Sequence, residues 1–135
     1  MFEKFSFTER QINLYYKSAS RDFLIASESK IPEVAFRFCY DAIIKLSITI
    51  CAKNNLRVKA RVGHHIELIE KLSEFLKDKE IMIIANEMRI KRNKDLYGEG
   101  VLISDIDAND YIKWAKNIFR KTEEYLTQEK NKLEL

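Results

Sequence analysis

Turn-forming residues are scarce in this chain, whose 135 residues include three glycines and one proline. A β-sandwich or β-barrel needs a turn signal every ~8–12 residues, and this sequence does not supply them. The composition is otherwise that of a soluble globular protein, with 46% hydrophobic and 33% charged residues, and is too apolar for a disordered chain. We therefore predict an all-α fold in a single domain over residues 1–135.

Long apolar runs and cysteine motifs are also missing. No run approaches the ~20 residues of a membrane span, and the first seven residues lack the pattern of a secretory signal. Cys39 and Cys51, twelve positions apart on one predicted helix, would lie about 18 Å apart, beyond disulfide distance. Without Cys-x-x-Cys, Glu-x-x-His or phosphate-binding glycine motifs, we expect no metal and no cofactor. A reducing cytoplasm, away from the membrane, is the expected location.

The charge of the chain is informative in its distribution more than in its sum. The net charge of +3, from 24 basic and 21 acidic residues, is too small to identify a nucleic-acid-binding protein. Basic residues nevertheless concentrate in two places, a connector and the end of a predicted helix. They are Lys53, Arg57, Lys59 and Arg61 in the connector, and Arg89, Lys91, Arg92 and Lys94 at the helix end.

Hydrophobic periodicity predicts five helices, at about residues 8–29, 32–54, 64–77, 79–97 and 107–130. Apolar residues cover most of the second helix, which we expect at the centre, whereas residues 53–63 form a basic connection. Asp107 and Asp110 resemble an N-cap and its partner at the third helical position. The core should span about residues 8–127, with a frayed polar tail. Short connections predict an up-and-down antiparallel bundle.

The fourth predicted helix changes character near its end. Ile81, Ala85 and Met88 form an apolar stripe whose next position is Arg92, followed by Asn93. A half-buried arginine requires a partner such as an anion, a nucleotide, a backbone carbonyl or another subunit. The alternative is a basic side chain that favours the helix dipole and keeps its charge in water.

The order of these features resembles the HEPN family, the nucleotide-binding helical bundles of higher eukaryotes and prokaryotes. The resemblance covers about residues 8–127 and rests on segments 32–46, 63–72 and 91–98, the last reading Arg-Asn-x3-Tyr-Gly. It implies a homodimer that brings the fourth-helix arginine near the partner's copy. Many such domains are metal-independent RNases acting as toxins or in defence, and others pair with a small nucleotidyltransferase.

The RNase members of this family carry Arg, four to six residues, then His. Arg92 and Asn93 match the start of that motif, but Tyr97 occupies the usual histidine position. The ordinary pKa of tyrosine is about 10, so Tyr97 would stay protonated at neutral pH and would not act as a general base. It would instead donate a hydrogen bond or stack on a nucleobase. The resemblance therefore implies binding more than cleavage, with Arg89, Arg92, Asn93 and Tyr97 as binding residues.

His64 and His65 begin the third predicted helix. Arg57 and His64 formally satisfy the Arg-x6-His spacing, but they lie on the wrong elements for the family motif. A helix start also lowers the pKa of a histidine. We interpret both histidines as capping or packing residues, and the alternative is a site role across the bundle. Arg92, Tyr97 and His64 remain the weak catalytic candidates.

Three functions follow from this sequence. The first is a non-catalytic or weakly catalytic HEPN-type module that binds RNA, a nucleotide or a nucleotidyltransferase partner in a toxin–antitoxin or defence pair. The second is a metal-independent endoribonuclease with an atypical Arg-Asn-x3-Tyr site, and the third is a structural helical adaptor. Apolar excess on the second helix, with aromatic residues on the first, second and fifth, predicts a homodimer.

Overall fold

The computed structural model describes residues 2–59, 64–96 and 102–134. These form five helices: α1 (Glu9–Glu28), α2 (Pro32–Lys53), α3 (His64–Leu76), α4 (Glu80–Leu96) and α5 (Asp105–Glu134). Two short strands, β1 (Phe2–Lys4) and β2 (Leu56–Val58), complete the described part. The prediction of a predominantly helical fold is confirmed.

The residues where α1 and α2 begin have side chains that favour the start of a helix. The Thr8 hydroxyl accepts the Gln11 N–H at 3.1 Å, and the Gln11 side chain accepts the Thr8 N–H at 2.8 Å. This reciprocal cap satisfies two amides at the start of α1. Pro32 then opens α2 in the first turn, where its missing N–H costs nothing. Both helices match the predicted bounds within about one residue.

The central position predicted for α2 is confirmed. It packs against α1, α3, α4, α5 and β2. Its side chains are buried almost all round, and each fully buried Leu or Ile is worth ~1.5–3 kcal/mol relative to exposure. The same packing means that the apolar residues of α2 are covered by the chain's own elements. Surplus apolar surface on α2, which motivated the homodimer prediction, is therefore largely absent.

A small sheet was not predicted. β1 pairs antiparallel with β2, with Phe2 opposite Val58 and Glu3 opposite Arg57. Asn55, at φ 58°, makes the turn that leads from α2 into β2. The region 53–63 was predicted as a connection only, because three-residue strands are too short to show an alternating pattern. Residues 60–63 lie outside the described part.

The last helix differs from the prediction at both ends. The Ser104 hydroxyl accepts the Asp107 N–H at 3.0 Å, so Ser104 caps α5 and Asp107 occupies the third helical position. The predicted pair, Asp107 as cap with Asp110, is therefore one turn too late. Ser104 offers the same capping chemistry three residues earlier. The backbone of α5 is helical through Glu134, beyond the predicted end near residue 130.

The chain folds back between α3 and α4 through residues 77–79. The Ser73 hydroxyl donates to the Asp78 carbonyl at 2.8 Å and the Asp78 N–H donates to the Ser73 carbonyl at 3.1 Å. This reversal places the start of α3 beside the end of α4. None of the described helices combines the length and apolar character needed to cross a membrane.

Candidate functional site

The apolar stripe of α4 ends at Arg92, as predicted. Ile81, Ala85 and Met88 are fully buried, whereas Arg92 is half-buried. The guanidinium carbon of Arg92 lies 5.7 Å from the centroid of the Tyr40 ring on α2. A cation over an aromatic face is attracted by the electron-rich ring. The charged end of Arg92 is thus held against α2.

Tyr40 connects Arg92 to the first turn of α3. Its ring is fully buried, and its hydroxyl lies 2.8 Å from His65 Nδ1. The His65 ring packs 5.7 Å from the Tyr40 ring and 4.5 Å from the His64 ring, the latter edge to face. The structure therefore brings His64 and His65 to the Arg92 end of the molecule, the arrangement that the alternative interpretation of these histidines required.

The electrostatic environment keeps His65 uncharged. Burial, together with smaller effects of His64, Arg92 and Arg89, lowers the pKa of His65 from 6.5 to about 4. The sequence-based expectation attributed a lowered pKa to the helix start, whereas the lowering at His65 comes from burial and from neighbouring positive charge. Burial likewise raises the pKa of Tyr40 above its ordinary value, against the opposing effect of Arg92 and Arg89. At neutral pH, Tyr40 can donate its hydroxyl proton to Nδ1 of a His65 tautomer protonated at Nε2.

Arg89 adds a second cation one turn before Arg92. Its Nε donates to Asn86 Oδ1 at 2.9 Å, which orients the guanidinium without neutralising it. Among the side chains of residues 2–59, 64–94 and 102–128, no carboxylate lies within 4.0 Å of the Arg89 or Arg92 nitrogens. Asp41 is the acidic residue that interacts with Arg92, and burial raises the pKa of Asp41 against the lowering effect of Arg92.

Asn93 and Tyr97 are the remaining predicted binding residues. Asn93 follows Arg92 on α4 and is half-buried. Tyr97 lies outside the described residues. The predicted cleft shared by Arg92, Asn93 and Tyr97 therefore stays a prediction.

The sequence interpretation missed Tyr40 as a site residue. One signal was available, because a tyrosine in the middle of an otherwise apolar helix needs a partner for its hydroxyl. What the sequence could not supply was the identity of that partner. His65 follows Tyr40 by 25 positions and comes close only through the packing of α3 on α2.

The basic connector has a different environment. Arg57 forms an ion pair with Glu3 at 2.5 Å across the small sheet, and its guanidinium carbon lies 4.3 Å from the Phe5 ring centroid. Lys53 pairs with Glu9 at 3.3 Å. Two of the four connector cations are therefore matched by carboxylates, and a third, Arg61, is outside the described part.

Two cavities lie away from the Arg92 end of the molecule. A cavity of about 390 Å³ lies between the end of α3 and the middle of α5, and another of about 470 Å³ lies beside Phe5 and Asn55. Neither is lined by Arg92 or His65. No group of three or more His, Cys, Asp or Glu side chains could hold a metal within the described residues.

The candidate site is thus a corner formed by α2, α3 and α4 that carries two arginine side chains. Its donors are two guanidinium groups and, at lower pH, an imidazolium, around a buried tyrosine floor. Such donors fit the oxygens of an anion, above all a phosphate. No family model, curated protein or solved structure matches this chain.

Proposed function

We propose that this chain is a HEPN-type helical module, folded as an up-and-down bundle, that binds a phosphate group of RNA or of a nucleotide through Arg92 and Arg89. The observation that carries the proposal is a pair of guanidinium groups that both act on His65, that of Arg92 over the Tyr40 ring, with no carboxylate within 4.0 Å among the described side chains. Asp41 acts on Arg92 without an ion pair within 4.0 Å, so this half-buried cation can still attract an external anion. We propose that Asn93 and Tyr97, the other residues of the Arg-Asn-x3-Tyr segment, take part in the same binding.

Binding is favoured over cleavage. Cleavage of RNA through its 2′-hydroxyl needs a base with a pKa near the working pH. The pKa of His65, about 4, makes it a weak base at neutral pH. The position where the family motif has histidine carries Tyr97. We expect slow or absent cleavage, with some cleavage gained in Tyr97→His.

An endoribonuclease is the second candidate, because an imidazole does lie at the Arg92 end of the molecule. An assay of metal-independent RNA degradation separates the two functions. Robust cleavage by the unmodified protein, lost in Tyr97→Phe or His65→Gln, would establish the enzyme and contradict the binding module.

A homodimer and a nucleotidyltransferase partner belong to the same proposal, in a toxin–antitoxin or defence pair. Large aliphatic side chains are exposed on α4 and around the start of α5, at Ile83, Ile90, Leu102 and Ile106. Exposed apolar side chains on the helix that carries Arg92 suit a symmetric contact near the site. Light scattering at micromolar concentration should give about twice the chain mass of 16.0 kDa, and a mass near 16.0 kDa would contradict the dimer.

The experiment that tests the proposal is direct binding of a fluorescent, 5′-phosphorylated oligoribonucleotide, measured by anisotropy at low salt. The unmodified protein should bind with micromolar affinity, and Arg92→Gln should bind at least tenfold more weakly, because a phosphate contact is lost. Circular dichroism of the variant controls for folding. Equal affinity of both proteins, or no binding at millimolar protein, would contradict the proposal.

A further inference from the structure

We infer that His65 is a third anion-binding group of this site, and that it takes up a proton when a dianionic phosphate binds beside Arg92 and Arg89. This inference rests on the proposed function and names the ligand charge and the pH dependence of that site. It concerns a residue to which the family motif gives no role.

The geometry fixes His65 in a single arrangement. Its Nδ1 is held at 2.8 Å by the hydroxyl of Tyr40, a residue with no exposed surface. The same Tyr40 ring contacts the Arg92 guanidinium at 5.7 Å on α4. One rigid aromatic ring therefore orients both the imidazole and the guanidinium. With Nδ1 occupied by Tyr40, Nε2 is the nitrogen that remains for a ligand.

The charges around His65 come from three helices. His64 on α3 and Arg92 and Arg89 on α4 act directly on His65, and each disfavours its proton. From α2, Asp41 adds negative charge near Tyr40 and Arg92. α3 also packs against α5 and β2, which contribute none of the described charges that act on His65.

An anion bound at this corner would make protonation of His65 more favourable. It would offset the two arginines and would favour the imidazolium directly. A dianion does so more strongly than a phosphodiester, which carries one negative charge. Because the two arginines and His64 oppose protonation, a dianionic phosphate monoester, as at an RNA end or in a mononucleotide, is the ligand that most favours uptake of a solvent proton by His65.

The thermodynamic linkage between anion binding and protonation of His65 gives the size of the pH dependence of the affinity. If a bound dianion restores the pKa of His65 from about 4 to its ordinary value of 6.5, the affinity should be roughly tenfold higher at pH 5.5 than at pH 7.5. Binding and protonation are reciprocal, so the bound anion must raise the pKa of His65 by the amount that the affinity change requires.

Sulfate is the first probe, because it stays a dianion across this pH range. Its dissociation constant should be measured by calorimetry at pH 5.5 and 7.5, and the pKa of His65 followed by NMR of the imidazole with and without sulfate. We expect tighter binding at pH 5.5 and a raised pKa of His65 in the complex. His65→Gln should lose the pH dependence and keep the affinity that the protein has at pH 7.5.

Three matched variants separate the causes. His64→Gln should keep most of the pH dependence, because Nδ1 of His65 still contacts Tyr40. Asp41→Asn should also keep it, which excludes protonation of Asp41 as the source. Arg92→Gln should lose sulfate binding at both pH values. A pH dependence that persists in His65→Gln would overturn the inference.

The source of the dianion is then tested with a 5′-phosphorylated oligoribonucleotide, its 5′-hydroxyl counterpart and AMP. Tighter binding of the phosphorylated RNA than of AMP assigns an RNA end, and equal binding of the two assigns a nucleotide phosphate. Equal binding of the two RNAs would overturn the dianion assignment. Sulfate binding that is equal at pH 5.5 and 7.5 overturns this inference alone, whereas no sulfate or RNA binding at any pH overturns the proposed function as well.

Discussion

Two basic clusters that look alike in the sequence differ in their surroundings. We call Lys53 and Arg57 the connector cluster, and Arg89 and Arg92 the helix-end cluster. In the connector cluster, Arg57 is paired with Glu3 and Lys53 with Glu9. In the helix-end cluster, the described side chains offer no carboxylate within 4.0 Å, and the two arginines act instead on Tyr40 and His65.

The difference shows that the count of basic residues does not locate an anion site. An exposed ion pair such as Glu3–Arg57 satisfies its cation locally and contributes little potential at a distance. A cation held against a buried aromatic ring keeps its charge available. The pKa of His65 is lowered mainly by burial, and the positive charge of Arg92 and Arg89 contributes to the same lowering.

The largest expected effect is on RNA affinity when each cluster loses one charge. Arg92→Gln should weaken binding of a 5′-phosphorylated RNA at least tenfold, whereas Arg57→Gln should change it by no more than about twofold. Fluorescence anisotropy at low salt measures both. An equal loss in the two variants would show that the connector cluster is part of the site.

The next effect is on stability as the pH falls. The pKa of His65 is lower in the folded chain, about 4, than its ordinary 6.5, so the unfolded chain binds more protons between these values. Stability should therefore be full above about pH 6.5 and decrease as the pH falls toward 4. For a part-exposed ring we expect a loss of roughly 1 kcal/mol.

Chemical denaturation at pH 7 and pH 4.5 measures this loss. His65→Gln should reduce it, and Arg57→Gln, the control from the other cluster, should not. A stability that is unchanged between the two pH values in the unmodified protein would contradict the electrostatic description of His65.

A smaller effect is expected in the salt dependence of RNA binding. Each lost phosphate contact reduces the slope of log affinity against log salt by about 0.7–0.9. Arg92→Gln and Arg89→Gln should each reduce the slope by this amount, and Arg57→Gln should leave it unchanged. A titration from 50 to 200 mM salt distinguishes these results, and an unchanged slope in all three variants would mean that neither arginine contacts phosphate.

The smallest effect concerns the connector cluster itself. Glu3→Gln removes the carboxylate that pairs with Arg57. Both side chains of this ion pair are partly exposed. Its cost should be no more than about 0.5 kcal/mol in the free energy of unfolding, as for other surface pairs. Denaturation at two salt concentrations measures it. A loss above about 2 kcal/mol would show that the pair fixes the small sheet.

Local signals account for the parts of the fold that the sequence predicts well. Thr8 with Gln11 and Pro32 mark the starts of α1 and α2, and the apolar cover of α2 marks its central place. The small sheet could not be predicted, because β1 and β2 have three residues each and are separated in the sequence by α1 and α2. The cap of α5 was misplaced because two acidic residues mimic the capping pattern that Ser104 provides.

The candidate site was likewise predicted only where a signal within one segment reveals it. Arg92 interrupts an apolar stripe within one helix, so the sequence reveals it. Tyr40 and His65 become site residues only through packing between helices, which no periodicity in one segment encodes. His65 acts on the same corner as Arg92 through the packing of α3 against α4, and this could be found only from the structure.

The most direct test of the anion site is NMR mapping of the complex with a 5′-phosphorylated oligoribonucleotide. An anion site at the helix-end cluster should give the largest shifts at Arg89, Arg92 and the His65 imidazole, with little change at Arg57 and Phe5. Shifts centred on Arg57 and Phe5, or no shifts at millimolar RNA, would contradict it.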